Sequence, residues 1–295
     1  LKANKYHGRA ASTYDASRVN DGTWRAEHSL IEKLVTEGPV LDVPFGTGRY
    51  VPIYESKGLE YLGIDISPDM LAQAKIKYPD ANCRVGSVFD LPSGFKTAVV
   101  SRLLNWLYPD QLSVAMAQLG QAADTLVFTA RTGTDGDNRG TATYTHSTNT
   151  LKQLIGGRLW EQHKIGGLQY GVYLMVKARK PVWEDVVKAF SDRKAGTLET
   201  LAEHWSARIG VDKPELKKGI PLTVEWWTHD RLGAYIDEIA KTDPAMIVTR
   251  KPRRTDGPLV AFKRDGKYGM VDGRCRANLW RNVPGVYPLI VMGEA

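Results

Sequence analysis

The chain has only two cysteines in 295 residues, Cys83 and Cys275. That is too few for a disulfide framework or a cysteine-rich zinc cluster, and no metal site is expected. No apolar run approaches the roughly 18–20 residues that a membrane-spanning helix needs. No signal-peptide pattern precedes the first motif, so a cytoplasmic, membrane-free protein is the expectation. The chain opens at Leu1 rather than methionine, which predicts a short missing N-terminal stretch. Internal repeats and low-complexity tracts are absent, which removes solenoids and disordered arrays from consideration. What remains is an ordinary globular composition, 42% hydrophobic and 25% charged, with a length that suits one large domain or two of usual size.

Residues 40–50 run Val-Leu-Asp-Val-Pro-Phe-Gly-Thr-Gly-Arg-Tyr. This is an apolar strand ending in an acid, Asp42, followed by a turn through Gly46 and Gly48. Twenty-three residues after Asp42 a second apolar run ends in another acid, Asp65. Ser67 then reads as a helix N-cap, with Pro68 in the first turn and Asp69 near the positive helix end. Strand, glycine turn, helix and a second acid-tipped strand form the first half of a doubly wound, nucleoside-binding α/β sheet. The glycines let backbone approach a ligand, and Asp65 is placed to accept hydrogen bonds from both ribose hydroxyls. A dinucleotide site carries glycine where this chain has Pro44, and a pyrophosphate prefers bare amides at a helix N-terminus. The inward carboxylate of Asp42 suits a cationic ligand instead.

Periodicity supplies the surrounding elements. Residues 23–37 predict a helix with Trp24, Ile31, Leu34 and Val35 on one stripe and Gly38 as terminator. Strands are expected at 40–42, 61–65, 83–85, 98–100 and 126–128, with the clearest helices at 68–78 and 109–120. Residues 131–145 predict a long loop rich in Gly, Thr and Asp. Two arms, 159–165 and 170–177, predict a closing hairpin that turns at Gly166-Gly167. The order implies a mostly parallel sheet with helices on both faces.

Asp42, Gly46 and Gly48 fit the first motif of the class I S-adenosylmethionine-dependent methyltransferases, a hydrophobic run followed by Asp/Glu-x-Gly-x-Gly-x-Gly, with Pro44 in place of its first glycine. Gly86-Ser87-Val88-Phe89-Asp90-Leu91-Pro92 resembles their third motif, with Ser87 where an acid is usual. Residues 1–180 thus resemble that family. The resemblance implies a seven-stranded Rossmann-like methyltransferase fold and S-adenosyl-L-methionine as cofactor. It places Asp42, Pro44, Gly46 and Gly48 at the turn and the methionine end, and Asp65 with Ile66 at the ribose. Ser87 and Val88 would flank the adenine, and Ser101 with Arg102 would face the methionine moiety and the acceptor. Tyr14 and Arg18 resemble the family's N-terminal lid. The Pro-Pro-aromatic motif of nucleobase amino methyltransferases is missing, as are the Pro-Cys of carbon-5 cytosine enzymes and the Lys-Asp-Lys-Glu set of ribose 2′-hydroxyl enzymes. The catalytic residues are therefore unassigned. His146 and His163 are candidate bases, since an unperturbed pKa of about 6.5 suits that work.

After Pro181 the pattern changes. Residues 181–219 are expected as a helical connector, with helices at 183–190 and 198–209. Residues 220–295 are expected as a smaller α+β domain, with strands at 222–224, 259–263, 268–271 and 287–292 and a helix at 232–239. Asp272-Gly273-Arg274-Cys275-Arg276 sits between a strand and a helix and resembles the Gly-x-x-Arg turn of the ParB/sulfiredoxin superfamily. The resemblance implies phosphate binding by Gly273, Arg274 and Arg276. Arg274 stands where sulfiredoxins carry their working cysteine, which argues against that chemistry. Between Arg250 and Arg281 there are ten Lys or Arg and three Asp, a difference of +7 that equals the formal net charge of the whole chain. Such clustering is the footprint of a phosphate-binding surface.

The expected function is an S-adenosylmethionine-dependent methyltransferase whose basic C-terminal region binds DNA, RNA or another phosphate-bearing partner. Two alternatives stand beside it: a small-molecule methyltransferase with a nucleotide-sensing domain, and a non-catalytic S-adenosylmethionine-binding adaptor.

Overall fold

Asp21 starts the first long helix. Its carboxylate accepts hydrogen bonds from the backbone N–H groups of Thr23 (2.9 Å) and Trp24 (3.2 Å), the N-cap arrangement. In the computed structural model, which describes residues 6–19, 21–137, 143–168, 171–190, 220–241, 258–272, 274–284 and 286–293, this helix is α2 (Gly22–Leu34). It follows a short helix α1 (Arg9–Ser12) and a 3-10 turn at Ala16–Arg18. It stops before the expected Gly38. Lysines take its last carbonyls instead: Lys57 Nζ donates to Glu32 O and to Val35 O (2.8 Å), and Lys177 Nζ to Leu34 O (3.0 Å). Val35 is already extended and fully buried.

By contacts the chain divides into two units. One comprises Leu1–Ile155 and Trp160–Arg179; the other comprises Gly156–Leu159 and Lys180–Ala295. The first is built on a seven-stranded sheet. Its strands are β1 (Val40–Asp42), β2 (Tyr61–Asp65), β3 (Cys83–Val85), β4 (Phe95–Val100), β5 (Ala123–Thr132), β8 (Leu159–Leu168) and β9 (Gly171–Arg179), in the order β3-β2-β1-β4-β5-β9-β8. Strands β1 to β5 pair in parallel, and β9 runs antiparallel to β5. The helices between them are α3 (Val51–Ser56), α4 (Pro68–Lys77), α5 (Pro109–Ala122) and α6 (Thr148–Leu154). Residue alternation sorts the core. Val40, Val99, Val127 and Met175 pack with Ile31, Leu34, Ile53 and Tyr54 of α2 and α3. The intervening Leu41, Ala98, Leu126 and Phe128 are buried as well, as are Leu112, Met116 and Leu119 of α5. The fold is thus a doubly wound, mostly parallel α/β sheet.

Two local expectations are corrected. Gly166 and Gly167 lie within β8 rather than at the hairpin turn, because backbone pairing carries that strand on to Leu168; residues 169 and 170 lie outside the described residues. The expected loop after β5 holds a small ribbon of β6 (Gly136–Asp137) and β7 (Tyr144–Thr145). His146 N donates to Arg131 O at 3.1 Å, which ties the end of that ribbon to β5.

The second unit has a four-stranded sheet of β10 (Leu222–Thr228), β11 (Leu259–Arg264), β12 (Lys267–Asp272) and β13 (Val286–Gly293), in the order β10-β13-β11-β12. β11 and β12 form a hairpin on Asp265 and Gly266, both with positive φ (49° and 73°), as a two-residue turn of this kind requires. Val186 of α7 (Trp183–Phe190), Leu232 and Ile236 of the helix His229–Ala240, and Ala277 and Trp280 of the helix Arg274–Trp280 bury with the sheet in one core. The expected helix at 198–209 lies outside the described residues. Among the described residues no helix is long and apolar enough to cross a membrane.

Candidate active site

The turn after β1 needs its glycines. Gly46 and Gly48 have φ of +60° and +73°, a region that residues with a Cβ rarely adopt. A Cβ on Gly48 would also lie 3.1 Å from the Tyr78 ring. The conformation is pinned from β2. Asp65 Oδ2 accepts a hydrogen bond from Gly46 N (2.8 Å) and Oδ1 accepts from Ser67 N (2.8 Å). Asp65 is nearly buried. Burial raises its pKa more than the amides of Ser67, Gly46 and Ile66 lower it.

Above this turn, at the carboxyl ends of the parallel strands, lies a cavity of about 490 Å³. Pro44, Gly46, Thr47, Asp65, Ile66 and Met70 line one side. Tyr14, Arg18 and Trp24 from the N-terminal segment contribute a second wall, and Ser101, Arg102, Leu103, Asn105, Trp106 and Arg131 a third. Eight of the expected cofactor positions therefore meet at one cavity: Tyr14, Arg18, Pro44, Gly46, Asp65, Ile66, Ser101 and Arg102.

The others do not line it. Gly48 lies beside Tyr78 and Val51. Asp42 is fully buried, and its Oδ2 accepts from Tyr54 OH at 3.0 Å. Burial pushes its carboxyl well above the usual range. Val88 is buried in the protein, and Ser87 Oγ accepts from Phe89 N (3.3 Å) in a local turn. Neither histidine borders the cavity. His146 is buried with Nε2 3.0 Å from Leu104 O, and burial lowers its pKa. His163 lies on β8 with Nε2 2.8 Å from Glu161 Oε1. Gly273 and the side chain of Arg274 lie outside the described residues, while Arg276 is buried. Among the described residues no group of three His, Cys, Asp or Glu is placed to hold a metal ion.

Behind the cavity sits a residue that the periodicity reading passed over. Glu27 of α2 is fully buried. It accepts from Ser101 Oγ (2.6 Å), Arg102 Nε (2.7 Å) and Arg49 Nη1 (3.1 Å). Tyr50 OH donates in turn to Ser101 Oγ at 3.0 Å. The Glu27 charge holds the Arg102 guanidinium protonated against the opposing effect of burial. Arg102 itself has φ +58°, and its N–H donates to Thr129 Oγ1 at 2.7 Å. Arg49 stacks 3.7 Å from the Trp24 ring centroid, a cation–π contact. The signal for Glu27 was available: Trp24, Glu27, Ile31 and Leu34 share one helical stripe, so a charge stands on the apolar face.

Residues 40–123 match the family model described as a methyltransferase domain. A curated relative, an uncharacterized methyltransferase-like protein of Schizosaccharomyces pombe, is 30% identical over 84 residues, covering 27% of this chain and 32% of the relative. The chain thus spans about a third of that relative's length. Similar solved structures include a magnesium protoporphyrin IX methyltransferase from Synechocystis with bound SAH, at 17% identity and a TM-score of 0.48 over 57% of this chain and 88% of that one. Another is the 1,6-didemethyltoxoflavin-N1-methyltransferase of Burkholderia thailandensis, at 19% identity and a TM-score of 0.45 over 57% and 84%.

Proposed function

We propose that the chain is an S-adenosylmethionine-dependent methyltransferase that uses this cavity. The observation that carries the reading is Asp65: a nearly buried carboxylate at the cavity wall, joined to the glycine turn through Gly46 N, inside the stretch that matches the methyltransferase-domain model. The residues present fit the cofactor. Asp65 with Ile66 would hold the ribose, the Pro44–Thr47 backbone would lie against the nucleoside, and Tyr14, Arg18, Ser101 and Arg102 would meet the methionine end. The cofactor, when bound, supplies an activated methyl group; the chain supplies position and exclusion of water.

Calorimetry with S-adenosylhomocysteine tests this. Asp65→Ala is expected to weaken binding by about 1.5–3 kcal/mol, the range for hydrogen bonds to a charged group. Because Asp65 also holds two backbone amides, Asp65→Asn serves as the folded control, with a smaller loss. Binding that is unaffected by either change refutes the assignment.

Two acceptor readings each rest on an observation. The +7 difference between Arg250 and Arg281 supports a phosphate-bearing partner, nucleic acid first. The apolar Leu103 and Trp106 on the third wall support a small acceptor that enters the cavity. Mass spectrometry of nucleic acids and metabolites from cells expressing the protein, beside the Asp65→Ala variant, separates them.

A further inference from the structure

Four arginines border the cavity, and three of them meet carboxylates. Arg18 and Arg102 approach Asp21 at 3.8 and 3.4 Å, and Arg49 and Arg102 approach Glu27 at 3.1 and 2.7 Å. Arg131 differs. Among the described residues its guanidinium has no carboxylate partner; Nη1 donates only a long hydrogen bond to Thr143 Oγ1 (3.4 Å), and Nε is buried with no acceptor. Arg131 is half-buried and borders the cavity, so its charge is open to an anion that enters there.

The residue is nevertheless held in place. Asn105 Oδ1 accepts from Arg131 N (3.1 Å), and Asn105 Nδ2 donates to Arg131 O (3.4 Å) and Tyr144 O (2.8 Å). One side-chain amide thus grips the backbone of Arg131 on both sides. Position in the sheet sets its role. Arg131 lies near the carboxyl end of β5, and the order β2-β1-β4-β5 separates it from the Asp65 strand by three strand spacings, about 14 Å at ~4.8 Å each. It therefore stands on the far side of the cavity from the proposed ribose contact, held by Asn105, whose chain neighbours Leu103 and Trp106 also line the cavity.

We propose that Arg131 anchors a carboxylate on the methyl acceptor, and that the acceptor is a small molecule with an apolar body beside that carboxylate. The inference rests on the methyltransferase reading and narrows its acceptor class. One guanidinium edge matches one carboxylate in a two-pronged hydrogen bond, and Leu103 and Trp106 take the apolar remainder of the molecule.

The test uses the full chain saturated with S-adenosylhomocysteine. The probes are benzoate, 4-hydroxybenzoate and phenylacetate, each against its primary amide, with affinities measured by calorimetry and ligand-observed NMR. At least one acid is expected to bind about tenfold or more tighter than its amide, the scale of a hydrogen bond to a charged group. Arg131→Leu is expected to erase that preference and to leave the affinity for S-adenosylhomocysteine within about twofold; Arg131→Gln repeats the measurement should the leucine variant misfold. Equal binding of acids and amides, no binding of any probe, or a preference that survives both variants overturns the proposal. A loss of S-adenosylhomocysteine affinity in a folded Arg131 variant also overturns it, by moving Arg131 to the cofactor. Failure of the wild-type chain to bind S-adenosylhomocysteine is a separate result, and it sinks the methyltransferase reading together with what rests on it.

Discussion

Two buried carboxylates of the first unit differ in what surrounds them. Glu27 is met by two guanidinium groups and by the hydroxyls of Ser101 and Tyr173, so its charge is matched inside the protein. Asp42 receives one hydrogen bond, from Tyr54, and its second oxygen has no partner among the described residues. Burial, with the Asp65 charge adding to it, raises the Asp42 pKa well above that of a free carboxyl, against the Tyr54 bond that lowers it. A raised carboxyl pKa in the folded state means that the folded chain binds the proton more tightly than the unfolded chain does. The associated stability is complete below the unfolded value of about 3.9 and is lost as pH rises through the folded value. Asp42→Asn cannot ionise, so its stability relative to the wild type is expected to rise with pH above about 4. Urea unfolding of both proteins between pH 4 and 8, without cofactor, measures this; a difference independent of pH removes the buried, protonated Asp42.

At the scale of elements, α2 links the fold to the site. Asp21 caps its first turn and also faces Arg18 and Arg102. Burial raises the Asp21 pKa, but the Trp24 and Thr23 amides and the Arg102 charge outweigh it, and the net shift is downward. A depressed carboxyl pKa gives stability that is present above the unfolded value and lost as pH falls through the folded one. Asp21→Ala is expected to cost about 1 kcal/mol at neutral pH, the usual worth of such a cap. The cost should shrink below about pH 4, and a penalty unchanged by acid in chemical denaturation would rule out the charged cap. Much of this architecture was legible in the residue pattern. The β1 turn, the acid at the end of β2 and the parallel strand order follow from local chemistry: apolar runs, glycines at positive φ, and proline and serine at helix starts. The arginine-bearing wall was less legible. Arg49 and Arg102 meet Glu27 across 22 and 75 residues of chain, and no local period records such pairings. The hairpin turn was misplaced for a related reason: Gly166-Gly167 looks like a turn in isolation, yet the strand continues through it.

For the whole molecule the question is how much of the positive charge is available to a partner. Of the ten cations between Arg250 and Arg281, Lys263 faces Glu225 at 3.6 Å, Arg281 donates to Asp237 at 2.5 Å, and Arg276 is buried. Glu225 is itself held by Tyr268 OH (2.6 Å), Trp227 Nε1 (2.8 Å) and Arg231 (3.0 Å), so Lys263 and Arg231 share one carboxylate. The proposed polyanion contact draws on at most the other seven. Each phosphate neutralised on B-form DNA contributes about −0.9 to the slope of log K against log salt, which bounds the slope near −6. Replacing Arg253 and Arg254 together by alanine is expected to reduce its magnitude by about 2. The measurement is fluorescence anisotropy of a labelled duplex titrated with the full chain between 50 and 200 mM salt, a range over which phosphate contacts register strongly. A slope near zero, or one that the double substitution leaves intact, makes the basic stretch a solvated face. It would also leave the small carboxylate acceptor as the reading with a physical basis.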